Sequence, residues 1–451
     1  MASEHNPIAQ LITQIQKKWV ADASPFPKLK LIRWLIKPEE ARLFEGFLKL
    51  ESTEHGAIPE VLVALLTRFE DETTYSSNLI RDWIKAYRED VKTHNKLKAK
   101  GISNSWDYEK YSDPSISQNQ DADRQLISMF SSFQKEMIGK DSRLVVALFP
   151  YQIYDMKGFN RWLISILKSE IPDEITFMIF DHIGENYFDH VFEKYPAVTK
   201  TLHVDLDLNG AVSKIAKMGN PNSPEVKFRE CILEMGQSVK NNNQKRLHEW
   251  GEKALTVTQR SGMKSMFATA HIVYAGMLFT FKQYEKIDSL LSQGMSIAKQ
   301  GHKTGDASCK PLLIQYYGYI ASSHQLQKKM TEATNAFEKQ GDIASEFDLP
   351  SMALMPYRQA YTLSKKNLPQ RYDELIQKAF SKGQALSNEE KLSSGFAGIA
   401  FDFVEWLKDH QRQNEAEKID EELKKILGND WKEKAKNPQK VYSNETAILI
   451  Q

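Results

Sequence analysis

The side chains best suited to chemistry lie together in "DEITFMIFDHIGENYFDH" (173–190). An apolar run ends there in Asp181 and His182, with Glu185, Asp189 and His190 close behind. Carboxylates and imidazoles are the groups that hold divalent metals. A carboxylate at a strand's carboxyl end is also where α/β proteins handle ligands. The spacing favours neither role strongly. On a helix Glu185 and Asp189 would share a face, but His182 and His190 stand two turns apart. No H-E-x-x-H occurs, and no second cluster supplies further ligands. Acidic residues near a helix start suit its dipole, so the stretch reads as a strand end running into a capped helix. No metal-binding residue is expected.

The remaining chemical candidates carry less. "DLDL" (205–208) would set two carboxylates on one face of a strand, usable for acid–base work, although such alternation also marks an exposed edge strand. There is no G-x-S-x-G, and Cys231 and Cys309 form no C-x-x-C. Two distant thiols fit small buried apolar groups in a reducing compartment. "HNKLKAKGISNSWDYEKYSD" (94–113) interleaves Lys96, Lys98 and Lys100 with Trp106, Tyr108 and Tyr111, a pattern that suits phosphates and unstacked bases. Asp107, Glu109 and Asp113 dilute that field, so a mobile surface loop is the expected reading and nucleic acid is not the expected partner.

Bulk properties agree. The 451 residues hold 60 basic and 59 acidic side chains, a net charge of +1, with 41% hydrophobic residues. That is a globular composition without the basic excess of nucleic-acid or membrane-surface binders. The start of the chain has no long apolar stretch typical of a secretory signal, and no run reaches the ~18 apolar residues of a membrane span. A cytoplasmic protein is expected.

Two kinds of periodicity divide the chain. After a helical segment (1–24), strand-like runs at 28–36, 60–69, 142–149, 174–180 and 200–208 alternate with helical ones at 38–52, 77–92, 121–138, 157–171 and 185–195. Near-continuous apolar strands imply a mostly parallel five-stranded sheet with helices on both faces, over residues 25–215 and interrupted by a loop at 95–120. From 223 to 428 paired amphipathic helices take over, and 429–451 form a tail. That tail ends in the apolar "AILIQ", able to dock back or to add as a strand to a partner, although an ordered or frayed tail with no role is the commoner case.

In the helical half, "QYYGYIASSHQLQKKMTEATNAFEKQGDIA" (315–344) places Ala321, Ala333 and Phe337 at spacings that resemble the small-residue and aromatic signature of tetratricopeptide repeats. Leu247, Ile287, Ala333, Leu375 and Ala416 stand as equivalent positions at intervals of 40, 46, 42 and 41 residues. These exceed the usual ~34, and the standard tyrosine and proline positions are mostly substituted. The resemblance implies a solenoid with a concave groove for a protein or peptide ligand. Its groove positions fall at Thr269, Phe279, Gln315, Ser322 and Gln325, with Tyr316, Tyr317 and Phe337 in the core.

The order of elements in the first half resembles the AAA/STAND group of P-loop NTPases with C-terminal repeats. The motif such enzymes require, G-x-x-x-x-G-K-[ST], is missing. After the first strand the chain reads "IKPEEARLFEGF", where Glu39 and Glu40 repel a triphosphate and Pro38 lacks an amide donor. The strand at 142–149 ends "LFPYQ", without the metal-binding Asp of that group, and Asp181 falls nearer a sensor position. The resemblance therefore implies a pseudo-NTPase domain with no catalytic or cofactor-binding residue. The expected function is a non-catalytic adaptor or scaffold. The alternative is a nucleotide- or metal-dependent enzyme or sensor working near Asp181.

Overall fold

The structure is a computed structural model and describes residues 6–89, 106–111, 122–139, 142–428, 431–436 and 448–449. The chain divides into two compact units, Met1–Val212 with Val441–Gln451, and Ser213–Lys440.

In the first unit the expected parallel sheet is present. Its strands are β1 (Leu31–Ile36), β2 (Val61–Leu65), β3 (Leu144–Leu148), β4 (Ile175–His182) and β5 (Thr199–Leu202). They run parallel in the order β5-β1-β4-β3-β2. A sixth strand, β6 (Ile448–Leu449), comes from the tail and pairs antiparallel with the outer edge of β2. Ile448 and Leu449 thus add to the chain's own sheet, making it one strand wider than the sequence suggests.

The apolar strands are continuous because both faces are covered. Val63, Leu65, Val146, Phe177 and Ile179 face α3 (Tyr75–Glu89), α4 (Ala122–Phe133) and α5 (Met156–Lys168), where Leu79, Trp83, Phe130, Phe159 and Trp162 meet them. On the other face Ile32, Trp34, Leu62, Val145 and Met178 pack with α1 (Pro7–Asp22) and α2 (Ala41–Glu51). The N-terminal helix therefore belongs to this core through Leu11, Ile15 and Trp19. Its Trp19 indole donates to Glu60 at 2.9 Å, and Glu60 in turn pairs with Arg143.

Three local expectations need correction. The helix expected at 185–195 is only α6 (Asp189–Lys194), so Glu185 lies in the preceding turn and shares no helix face with Asp189. The strand expected at 200–208 ends at Leu202, which leaves Asp205 and Asp207 off the sheet. Asp207 instead accepts from the Gly210 amide (2.8 Å) at the start of α7 (Leu208–Ala216). In the loop expected at 95–120, the described part, 106–111, is anchored to the core through Trp106, buried against Tyr87 and Phe133, while Asp107, Glu109 and Lys110 are exposed. Lys96, Lys98 and Lys100 lie outside the described residues.

The second unit is all helical and repeat-like. Hairpins follow one another: α8 (Pro224–Lys240) with α9 (Gln244–Arg260), α10 (Lys264–Leu278) with α11 (Tyr284–Lys303), α12 (Cys309–Leu326) with α13 (Met330–Glu346), and α14 (Pro350–Asn367) with α15 (Pro369–Gln384). After the short α16 (Asn388–Ser393), α17 (Phe396–Asp409) pairs with α18 (Gln413–Leu427), and α19 (Trp431–Lys436) packs on α17. Extensive contacts run from each hairpin to the next in chain order. Two apolar clusters, joined through Ile320, Ile343 and Phe347, make the core continuous.

What sets the stacking is a recurring fit of glycine against aromatic ring. Gly251, Gly294, Gly341 and Gly383 on second helices lie against Tyr274, Tyr316, Tyr357 and Phe396, each on the first helix of the following hairpin. A Cβ at any of the four would collide with the ring. This register revises the equivalences drawn from sequence. Leu247 precedes its glycine by four residues, whereas Ala333 and Leu375 precede theirs by eight. All three are buried, one helical turn out of step.

Glycine in a helix ordinarily costs ~0.5–1 kcal/mol relative to alanine. Gly236, on the exposed side of α8 with nothing within 4 Å of its missing Cβ, should follow that rule: Gly236→Ala raises the melting temperature. Gly294→Ala should reverse the sign and lose ~1–3 kcal/mol, because the methyl must displace Tyr316 and the His271 Cβ. Thermal melts of the two variants beside the parent decide this; equal effects would remove the glycine fit as the stacking device.

Candidate functional site

Ligands of open α/β sheets sit beyond the carboxyl ends of strands whose outgoing connections diverge. Here that place lies between β1 and β4, since the chain leaves β1 for β2 on one side and leaves β4 for β5 on the other. Asp181 reaches it on β4, opposite Leu35 of β1.

Asp181 is fully occupied by the protein. One carboxylate oxygen accepts from the amides of His182 (2.9 Å) and Tyr187 (3.2 Å); the other accepts from the Phe188 amide (3.3 Å) and from Arg33 Nη1 (3.1 Å). The Arg33 guanidinium also donates to Asp189 (2.6 Å) and, from Nε and Nη2, to Thr201 at 3.2 and 3.1 Å. It lies 4.5 Å from the Phe192 ring. Arg33 and Asp181 are both almost wholly buried. One ion pair thus joins β1, β4, β5 and the turn into α6.

The other members of the sequence cluster do not converge on Asp181 as ligands. Glu185 and His190 are exposed, and Asp189 is committed to Arg33. Among the described residues no group of three or more His, Cys, Asp or Glu side chains is arranged to hold a metal.

Next to this place, at the end of β1, the chain turns through Pro38–Glu40 into α2. The Glu40 carboxylate is buried; it accepts from the Lys37 amide at 2.9 Å and lies 3.8 Å from the Lys37 ammonium, which also bonds Asp205 at 3.1 Å. These side chains, with Glu39 and residues 206–209, line a cleft of about 350 Å³. Four carboxylates, those of Glu39, Glu40, Asp205 and Asp207, surround a single ammonium there. A phosphate would meet repulsion instead of the nest of amides and the lysine that bind it in nucleotide sites.

The aromatic residues considered for nucleic-acid stacking are likewise used internally. The Trp106 indole donates to Ser132 (3.1 Å), Trp106 stacks with Tyr111, and the Tyr111 hydroxyl donates to the Ser128 carbonyl (3.1 Å).

In the helical unit the sequence-selected residues fall mostly on one helix. Gln315 and Gln325 are exposed on α12, and Ser322 lies between them on the same face with its hydroxyl bonded to the Gly318 carbonyl. Thr269 on α10 is half-buried and donates to its own helix at Ser265. Phe279 follows α10, its ring 6.2 Å from that of Tyr319. Tyr316 and Phe337 are buried, as expected for core positions, and Tyr317 is half-buried.

Sequence reasoning missed three residues of these first helices. Tyr319 lies one turn beyond Gln315 and remains 37% exposed, its ring over Gly276 of α10; Met352 and Met355 on α14 are 49% and 45% exposed. Tyr319 was findable, because i and i+4 share a helix face. The methionines were not, since a Met at helical spacing reads as core.

No known protein family matches this chain, and no curated protein is significantly similar to it. Among the described residues no helix is long and apolar enough to cross a membrane.

Removing Asp181 leaves three amides without their acceptor and takes from the buried Arg33 guanidinium one of its two carboxylates. Asp181→Ala should therefore destabilise the α/β unit by ~3–5 kcal/mol. Asp181→Asn, which keeps one acceptor oxygen, should lose less. Urea unfolding followed by tryptophan fluorescence measures both; a neutral Asp181→Ala would show that the carboxylate is not a structural anchor.

Proposed function

We propose that this protein is a non-catalytic interaction adaptor. Its helical unit is a TPR-like array that grips a protein or peptide along the first helices of its hairpins. Its α/β unit is a degenerate nucleotide-binding module kept as a scaffold. The observation that carries this reading is the exposed apolar set Tyr319, Met352 and Met355 on the first helices of two successive hairpins. Methionine is flexible and polarisable, which suits a surface that must adapt to a partner. Phe279, Gln315, Ser322, Gln325 and Thr269 add an aromatic edge, amides and hydroxyls for orienting a bound backbone.

A partner co-purifying with the full-length chain from its host should be lost from a Tyr319→Asp/Met355→Asp variant whose far-UV circular dichroism is unchanged. Retention of the same partner by that variant would move the binding surface elsewhere.

The acidic cleft at the end of β1 and the commitment of Asp181 to Arg33 support the pseudo-NTPase part of the reading. Magnesium–ATP should leave the melting temperature unchanged, since only a ligand that binds the native state raises it. A rise of several degrees would favour a nucleotide sensor instead.

A further inference from the structure

We propose that the carboxyl edge of the parallel sheet is a docking surface for an arginine-rich segment of a partner protein. Tyrosines at the middle of this edge supply stacking faces, and exposed carboxylates on either side supply the charge. The surface belongs to the α/β unit and does not depend on the helical groove.

Because the five strands run parallel, their outgoing connections all lie at this edge. Large apolar side chains are exposed at its centre. Tyr151 and Tyr154, after β3, are 46% and 56% exposed; Ile183 and Tyr187, after the neighbouring β4, are 44% and 43% exposed. The backbone beneath them is fixed. The Tyr154 amide donates to the Phe69 carbonyl (3.1 Å) and the Phe69 amide to the Gln152 carbonyl (2.9 Å), so the connection after β3 continues the pairing of the sheet. Asn160 of α5 donates to the Tyr187 carbonyl (3.0 Å), which ties the connection after β4 to the helix that follows β3.

Charge frames the tyrosines. The connections 37–40, 66–74, 149–155, 183–188 and 203–207 hold nine carboxylates and two basic side chains, Lys37 and Arg68, in a chain whose net charge is +1. Ion pairs within the unit use several of them: Arg68 with Glu70, Arg161 of α5 with Glu72 and Asp155, and Lys37 with Glu40 and Asp205. Glu39, Asp71, Glu185 and Asp207 stay exposed, without an ion pair among the described residues. Lys157, exposed at the start of α5, offsets one of them. Glu39 and Asp207 stand on the side of β1 and β5, Asp71 on that of β2, and Glu185 beside Tyr187, whose hydroxyl pKa it raises.

This frame repels a phosphate, and a purely aliphatic partner would bury carboxylates without pairing them. A guanidinium meets both parts of the surface, since it stacks on an aromatic face and forks to a carboxylate. The same unit does this internally, where Arg33 lies against Phe192 while bonded to Asp181 and Asp189.

The test titrates the full-length chain into three fluorescein-labelled octapeptides, RRLRRLRR, KKLKKLKK and EELEELEE, read by anisotropy. The arginine peptide should bind, the lysine peptide about threefold more weakly because an ammonium neither forks nor stacks as a plane, and the glutamate peptide not at all. Tyr151→Ser/Tyr154→Ser/Tyr187→Ser should weaken the arginine peptide about tenfold, the loss expected for guanidinium contacts with exposed rings. Glu39→Gln/Glu185→Gln should weaken it about threefold, whereas Glu421→Gln/Glu422→Gln, at exposed positions of α18, should leave it unchanged. The substituted side chains are exposed, so all three variants should melt as the parent does. Failure of the parent to bind, equal affinity of parent and tyrosine variant, or an equal loss in the two glutamate variants overturns the proposal. So does an oligothymidylate that binds the parent and not the tyrosine variant, which would assign the edge to nucleic acid.

Discussion

A positive charge is buried within the parallel sheet, and the carboxyl end of the sheet is arranged around keeping it paired. Arg33 stands on β1 between β4 and β5, nearly sealed from water. A guanidinium there is tolerable only with carboxylates and acceptors on all its nitrogens. Asp181, Asp189 and Thr201 provide them from three different elements. The same Asp181 holds the amides of the turn that leads into α6, so the pairing decides where that helix begins. It also decides what Asp181 cannot do. A carboxylate with every acceptor site in use has nothing left for a metal or a nucleotide.

The neighbouring turn is occupied in the same inward way. Where an NTPase would offer glycine amides and a lysine, Glu40 folds back on the Lys37 amide and Lys37 reaches Asp205. Lys37 is taken up by Glu40 and Asp205, and the cleft that remains is acidic. At the carboxyl end of the sheet the buried groups Arg33, Asp181 and Glu40 are thus held by contacts among the unit's own residues.

The helical unit works by a different constraint, one of volume. Four glycines on second helices admit four rings from the hairpins that follow. Each ring is buried to within a few per cent, so each hairpin is closed by the next one rather than by its own residues. This is how a short hairpin with too little apolar surface of its own becomes part of a stable array. Tyr319, Met352 and Met355 are among the large apolar side chains that this stacking leaves more than a third exposed.

Much of this was legible in the amino-acid sequence alone. Near-continuous apolar strands such as "EVLVALL" and "SRLVVALF" demand cover on both faces, and the structure has helices on both. The switch to helical spacing after Pro224 likewise reports a change of architecture, because a pattern of period 3.6 cannot lie on a sheet. The placement of Asp181 at a strand end and the missing phosphate loop were equally plain. Other features required distant residues to meet. Arg33 reads as a stray charge in a strand until Asp181, 148 positions later, arrives beside it. Gly294 reads as a weak point of a helix until Tyr316 fills the space. Trp106 reads as part of a polar loop until Tyr87 and Phe133 enclose it. Periodicity is local and survives in the sequence. Pairing of a buried charge, fit of a ring against a glycine and addition of Ile448 and Leu449 to the sheet depend on residues that only folding makes neighbours.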